Sequence, residues 1–214
     1  MGVGFKDLPF WDRPDLTPYL IHLTKNTKSD DNYSAYNNLV NILTTGKIWG
    51  SDINKGFIKG NNPATCFMDV PFNSLKYMLN DDNSNPDDPR YEPYGIFISK
   101  KIAYESGARP VLYLSNDELR NLRIPSNELW RVVRFEVTGK KWISWIHERE
   151  WRAKGDFILP QNKPPRIKDA GIGILVKSYV EVKKLMQQIE TDPRINININ
   201  AILPLEIICQ GLQI

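Results

Sequence analysis

Residues 142–157 read WISWIHEREWRAKGDF. The run holds three of the chain's six tryptophans and one of its two histidines, and it places His147, Glu148, Arg149, Glu150 and Arg152 within six positions. If residues 146–150 are extended, the two-residue period of a strand puts Glu148 and Glu150 on one face, with His147 and Arg149 opposite. Two carboxylates held close raise the cost of ionising both, so such a pair is seldom left without a reason. If the segment is helical, Glu148 and Arg152 form an i, i+4 pair and the cluster is a charged surface. The residues alone leave both readings open.

Working outward, PYLIHLT (18–24) has the branched and aromatic content of a short strand, and YGIFIS (94–99), RPVLYLS (109–115) and GIGILV (171–176) read the same way. LWRVVRFEV (129–137) is a strand of mixed periodicity, INININ an edge strand, and ILPLEIICQ a closing strand. AYNNLVNILTTGKIWGS (35–51) reads as a helix: Leu39, Ile42 and Leu43 share a face, Ser34 or Asp31 caps the start, and Gly46 suits a stop. NSLKYMLN, KIAYESG, NDELRNL and SYVEVKKLMQQIET are further helical segments, while 25–33 and 80–93 are polar loops. Strands are short and numerous, their order is not a regular alternation with helices, and neither GxGxxG nor GxxxxGK follows any of them. An α+β fold is expected. No internal repeat or low-complexity tract divides the chain, and 159–170 (LPQNKPPRIKDA) is the one candidate break. A single domain over 1–214, behind an N-terminal lead-in at about 1–18, follows.

With 41% apolar and 25% charged residues the composition is that of an ordinary globular protein, and 28 basic against 25 acidic residues is too even to argue for nucleic acid. The distribution says more: residues 139–186 carry eleven Lys or Arg against five acids, whereas 81–92 carry five acids against Arg90. Cys66 and Cys209 are too few for a secreted disulfide framework and read as buried small hydrophobes. No apolar run reaches membrane-spanning length, the start lacks a signal-peptide pattern, and a cytoplasmic location without membrane attachment is the expectation.

His22, Cys66, His147 and Cys209 lie dozens of residues apart, without the close pairs of a zinc site, and no metal is expected. One alternative keeps a metal: Asp69, Glu148, Glu150 and Asp156 converging on Mg²⁺ beside Lys154, as in a metal-dependent nuclease. His22, in an otherwise apolar strand, reads either as a satisfied core histidine or as a group at a strand end that holds a ribose hydroxyl or an amide with help from Thr24.

The succession LIHLT, NLVNILTTGKI, ATCFMDVPF, YGIFIS, ARPVLYL and HEREWR, over roughly residues 19–160, resembles the AbiGi-like proteins of abortive phage infection. More distantly it resembles the DarT-type enzymes that ADP-ribosylate DNA. The resemblance implies an ADP-ribosyltransferase-like fold, a split, curved mixed sheet with flanking helices and an NAD⁺ cleft between its halves. It implies that His22 contacts the NAD⁺ ribose, that Glu150 is the catalytic glutamate with Glu148 as its E-x-E companion, and that Phe67 or Trp151 stacks on nicotinamide. Arg149, Arg152 and Lys154 would meet the pyrophosphate or a nucleic-acid backbone. The middle motif departs from the pattern: Thr65, Phe67, Asp69 and Tyr77 all fall in its region, and Lys59 stands nearest to an assisting arginine. The implied activity is transfer of ADP-ribose from NAD⁺ to DNA, RNA or a protein, as a toxin or antiphage effector with a cognate partner. A non-catalytic, antitoxin-like protein on the same scaffold is the alternative.

Overall fold

The computed structural model describes residues 13–27, 31–51, 57–80, 82–84, 88–161 and 171–209. Most of the lead-in (1–12) and of the 159–170 stretch (162–170) lie outside the described residues. The architecture is mixed α+β, a multi-strand sheet flanked by helices. In chain order the strands are β1 (Tyr19–Thr24), β2 (Lys47–Ile48), β3 (Ala64–Phe67), β4 (Tyr94–Ser99), β5 (Arg109–Pro110), β6 (Leu112–Leu114) and β7 (Val132–Arg134). They continue with β8 (Glu136–Thr138), β9 (Lys141–Ile143), β10 (Trp151–Lys154), β11 (Phe157–Ile158), β12 (Ile172–Val176) and β13 (Ile199–Pro204). The helices are α1 (Ala35–Thr45), α2 (Leu75–Met78), α3 (Lys100–Glu105), α4 (Asn116–Leu122), α5 (Tyr179–Thr191) and α6 (Leu205–Ile208).

The main sheet runs β1-β4-β12-β13, antiparallel at the first two pairings and parallel at the last, where α5 makes the crossover. Alternation along its strands explains their apolar runs, because both faces are covered. Leu20, Ile96, Ile98, Ile172 and Ile174 pack with Leu39, Ile42 and Leu43 of α1 and Leu185 of α5. Ile21, Phe97 and Leu175 face the other way, onto Leu75 and Met78 of α2 and Leu205 of α6. Gly95 is required where β4 meets β1: a Cβ there would lie 2.3 Å from the His22 carbonyl oxygen. The second sheet, β3-β10-β5, is antiparallel, and its Phe67 and Ala153 join the α1-side core.

Helix α1 ends at Thr45, at the stop expected from Gly46, which adopts a left-handed conformation (φ 71°) and returns its N–H to Ile42. Ser34 is the cap, accepting from the Asn37 N–H. Two expected strands are shorter than their apolar content implies. LWRVVRFEV opens as a 3-10 helix through Arg131 before β7 and β8, and ILPLEIICQ turns helical at Leu205. Among the described residues no helix is long and apolar enough to cross a membrane.

Candidate functional site

The two sheets touch along a seam that soon fails. Ile21 of β1 and Met68, just past β3, exchange N–H···O bonds of 2.9 and 2.8 Å. One residue further along β1 the backbones have parted, and the His22 ring spans the gap, its Nδ1 2.8 Å from the Cys66 carbonyl oxygen. A carbonyl only accepts, so Nδ1 carries the proton and Nε2 is left as the ring's acceptor. Burial holds the imidazole below its ordinary pKa, with the Cys66 carbonyl pulling the other way, which keeps the ring neutral at physiological pH.

Where the sheets diverge, a cleft opens in two adjoining lobes of about 440 Å³ each. The first is lined by His22, Thr24, Asn38, Trp49 and Phe67, among others. The second is lined by Phe57, Val133, Trp145, Glu150 and Arg152. Lys25, Ser51, Cys66, Arg90, Tyr91 and Glu148 line both and form the waist between them. His22 and Glu150 therefore face adjoining lobes, and Glu148 is the carboxylate common to the two.

The segment that carries the carboxylates is neither the strand nor the helix weighed from sequence. Residues Ile146–Glu148 form a 3-10 turn, and Arg149 follows in a left-handed conformation (φ 45°, ψ 54°) before β10 begins. That reversal sends Glu148 and Glu150 to the cleft and Arg149 away from it, where Arg149 Nε donates to the Asp69 carbonyl (2.7 Å) and Nη2 to the Asp15 carbonyl (2.5 Å).

The two glutamates meet different fates. Glu150 is buried and closed by Arg152, whose Nε and Nη2 lie 2.7 and 3.3 Å from its two oxygens. Arg152 is buried as well and spends Nη1 on the Trp130 and Val132 carbonyls; burial opposes its charge, and the neighbouring Glu150 and Cys66 together more than offset this. Glu148 is half-buried and receives the Tyr91 hydroxyl on Oε1. Burial foremost, with the Glu150 charge adding to it, raises its carboxyl to about 7 against the Tyr91 bond and the fields of Arg152 and Arg90. Burial and the neighbouring Glu148 also push the Tyr91 hydroxyl well up. Cys66 stays an unreactive thiol, raised far above its usual value by burial and by Glu150.

The other expected site residues divide. Thr24 lines the first lobe, but its hydroxyl is engaged with the Ala35 carbonyl at 2.8 Å. Phe67 is wedged between His22 and Phe157, ring centroids 6.0 and 5.0 Å away, and presents little surface for stacking. Trp151 turns into the core, half-buried beside Phe67 and Ala153. Lys59 donates to Asn116 (3.2 Å), and the exposed Lys154 lies one residue before the turn to β11. The four carboxylates of the nuclease alternative do not converge. Asp69 pairs with Lys100 at 2.8 Å, Asp156 with Lys47 at 2.7 Å and Glu150 with Arg152, and no metal-holding group of three His, Cys, Asp or Glu side chains occurs among the described residues. Both cysteines are free.

Sequence reasoning passed over Tyr91 and Arg90, which sit in the loop before β4, and Lys25, which follows β1. Arg90 lies over the Trp145 ring, 5.3 Å from its centroid, and lines both lobes. An Arg-Tyr pair a few residues before the apolar strand YGIFIS is the signal that could have marked them.

No family model matches this chain, and no curated protein does. Among solved structures it is similar to Thermus sp. 2.9 DarT in complex with NAD⁺, at 15% identity over 87% of this chain and 95% of that one, with a TM-score of 0.42. A likeness at that distance assigns neither family nor activity.

Proposed function

We propose that this chain is an NAD⁺-consuming, ADP-ribosyltransferase-like enzyme that transfers ADP-ribose to a nucleic-acid or protein target, acting as a toxin or antiphage effector. The observation that carries the reading is the two-lobed cleft at the parting of the sheets, with Glu148 on the wall shared by both lobes. NAD⁺ is two nucleosides joined by a diphosphate. Each lobe falls in the range of about 300–1,000 Å³ usual for ligand pockets, and the waist carries Lys25 and Arg90, cations suited to a diphosphate.

In the transfer, the bond between the nicotinamide nitrogen and ribose C1′ breaks and positive charge develops on the ribose. Ionised Glu148 stabilises that charge while holding the 2′-hydroxyl. A carboxyl that titrates near neutrality is also suited to taking the proton of the incoming nucleophile. His22, its Nδ1 committed to Cys66, offers Nε2 to a ribose hydroxyl or a carboxamide N–H. Glu150, locked to Arg152, forms the back wall, and its charge helps to hold the Glu148 carboxyl near neutrality. One observation favours the non-catalytic alternative: the Glu150 carboxylate and the Thr24 hydroxyl are both already bonded within the protein.

Incubating the chain with labelled NAD⁺ and, in parallel, DNA, RNA and bacterial protein extract tests the proposal. The wild type is expected to release nicotinamide and label one of these targets, with Glu148→Gln slower by about 10²–10³-fold. Binding without nicotinamide release would point to the non-catalytic reading, and no binding would remove the enzymatic one.

A further inference from the structure

We propose that Arg149 is a positioning residue: its guanidinium, tied to Asp69 and Asp15, fixes the left-handed turn that aims the Glu148 and Glu150 carboxylates into the cleft. The inference rests on reading Glu148 as the carboxylate of the transfer site. Among the described residues two non-glycine positions have positive φ, Arg123 and Arg149. Arg123 closes the exposed end of α4, a common place for a left-handed residue. Arg149 stands between two carboxylates that face the cleft, and its side chain crosses to other parts of the molecule.

The contacts form a clasp. The Asp69 N–H donates to the Glu148 carbonyl (2.9 Å), and the Asp69 carbonyl accepts Arg149 Nε (2.7 Å), so one residue after β3 grips both sides of the turn. The Asp69 carboxylate pairs with Lys100 at the start of α3 (2.8 Å) and lies 3.6 Å from Arg149 Nη2. Nη2 also donates to the Asp15 carbonyl (2.5 Å), which ties in the segment before β1. Downstream, the Glu150 N–H donates to the Tyr113 hydroxyl at 2.9 Å. Glycine would adopt the same turn with less strain but would carry no tether; arginine supplies the turn and its anchor together.

The environment of Glu148 reports the clasp without any ligand. The titratable groups around it are Tyr91, Arg90 and Asp88 from the loop before β4, Lys25 after β1, Cys66 from β3, Tyr113 from β6, and Glu150 and Arg152 at β10. In the full-length protein labelled with ¹³C at glutamate carboxyls, NMR titration is expected to place Glu148 near 7 in the wild type. In Arg149→Gly the midpoint is expected to fall by about one unit or more, toward the ordinary carboxylate value, as the turn loosens and water enters. Asp69→Asn, which keeps the backbone clasp, should shift it less in the same direction, and Arg149→Lys should restore part of the loss. With NAD⁺, Arg149→Gly should lower kcat by about a hundredfold and leave KM within a few-fold, as a misplaced group does. Arg123→Gly should change neither reading. A Glu148 midpoint unmoved in both Arg149→Gly and Asp69→Asn would overturn the inference, as would a kcat loss no larger than that of Arg123→Gly. If the wild type does not turn over NAD⁺ the transfer reading fails, yet the titration still decides whether Arg149 positions Glu148.

Discussion

Glu148 and Glu150 are the same residue type two positions apart, and their surroundings separate them. Glu150 is buried against a guanidinium that answers both of its oxygens, whereas Glu148 has a tyrosine hydroxyl and a partly desolvated site. Acids in such unlike surroundings can divide the labour of a site. The Glu148 carboxyl, held at about 7 against an ordinary 4.5, binds its proton more tightly in the folded protein than in the unfolded chain. Its contribution to stability is therefore full below about pH 4.5 and is lost as pH rises through 7. Glu148→Gln keeps an acceptor for Tyr91 and removes the ionisation, so it should be nearly neutral near pH 4.5. At pH 8 it should stabilise the protein by on the order of 2 kcal/mol, as read by chemical denaturation at the two pH values. Equal stability of variant and wild type at pH 8 would contradict the raised carboxyl. The E-x-E spacing was legible in the sequence, but the unlike surroundings of its two carboxylates were not. Arg152 reaches Glu150 because both stand at the start of β10, against the carbonyls of Trp130 and Val132, and nothing local to residues 148–152 announces those partners.

At the scale of elements, the site exists because β1 and β3 pair at Ile21 and Met68 and then part. His22 occupies the parting, so its two ring nitrogens have separable duties: Nδ1 satisfies the Cys66 carbonyl, and Nε2 is the atom proposed to meet the ligand. Asn places an amide donor close to where Nδ1 stands but has nothing at Nε2. His22→Asn should thus melt near the wild type and bind NAD⁺ weakly, while His22→Ala should also lose about 1–3 kcal/mol from the orphaned carbonyl. Thermal melts and calorimetry on the pair separate the two duties, and equal melting points for Asn and Ala would show that the Cys66 contact contributes nothing. Strand YGIFIS and the helices α1 and α5 could be read locally, since each carries its own apolar pattern and α1 has a stop at Gly46. The parting could not, because it depends on which strand lies beside which across more than forty residues. Local pattern also misled at LWRVVRFEV, where Trp130 is buried from a 3-10 turn and the strand is broken into short pieces.

At the scale of the whole molecule, the cleft is assembled from segments remote in sequence. His22 and Lys25 come from the first strand and its sequel, Cys66 from the second sheet, Arg90 and Tyr91 from an acidic loop, and Glu148 from the turn before β10. Composition gave no sign of it, because the near-balance of charge over the chain hides two cations and one half-ionised acid gathered at a single waist. The resemblance carried by the order of motifs pointed to His22 and to the late glutamates, while the proposed function gives the central place to Glu148 and adds Tyr91, Arg90 and Lys25, which line the same waist. The claim on which the rest depends is that this cleft takes NAD⁺, and calorimetric titration of the full-length protein with NAD⁺ addresses it directly. The account predicts one site per chain, with affinity sharply reduced in His22→Asn and in an Arg90→Ala, Lys25→Ala double variant. Absence of binding heat at millimolar NAD⁺, or binding untouched by those changes, would contradict it.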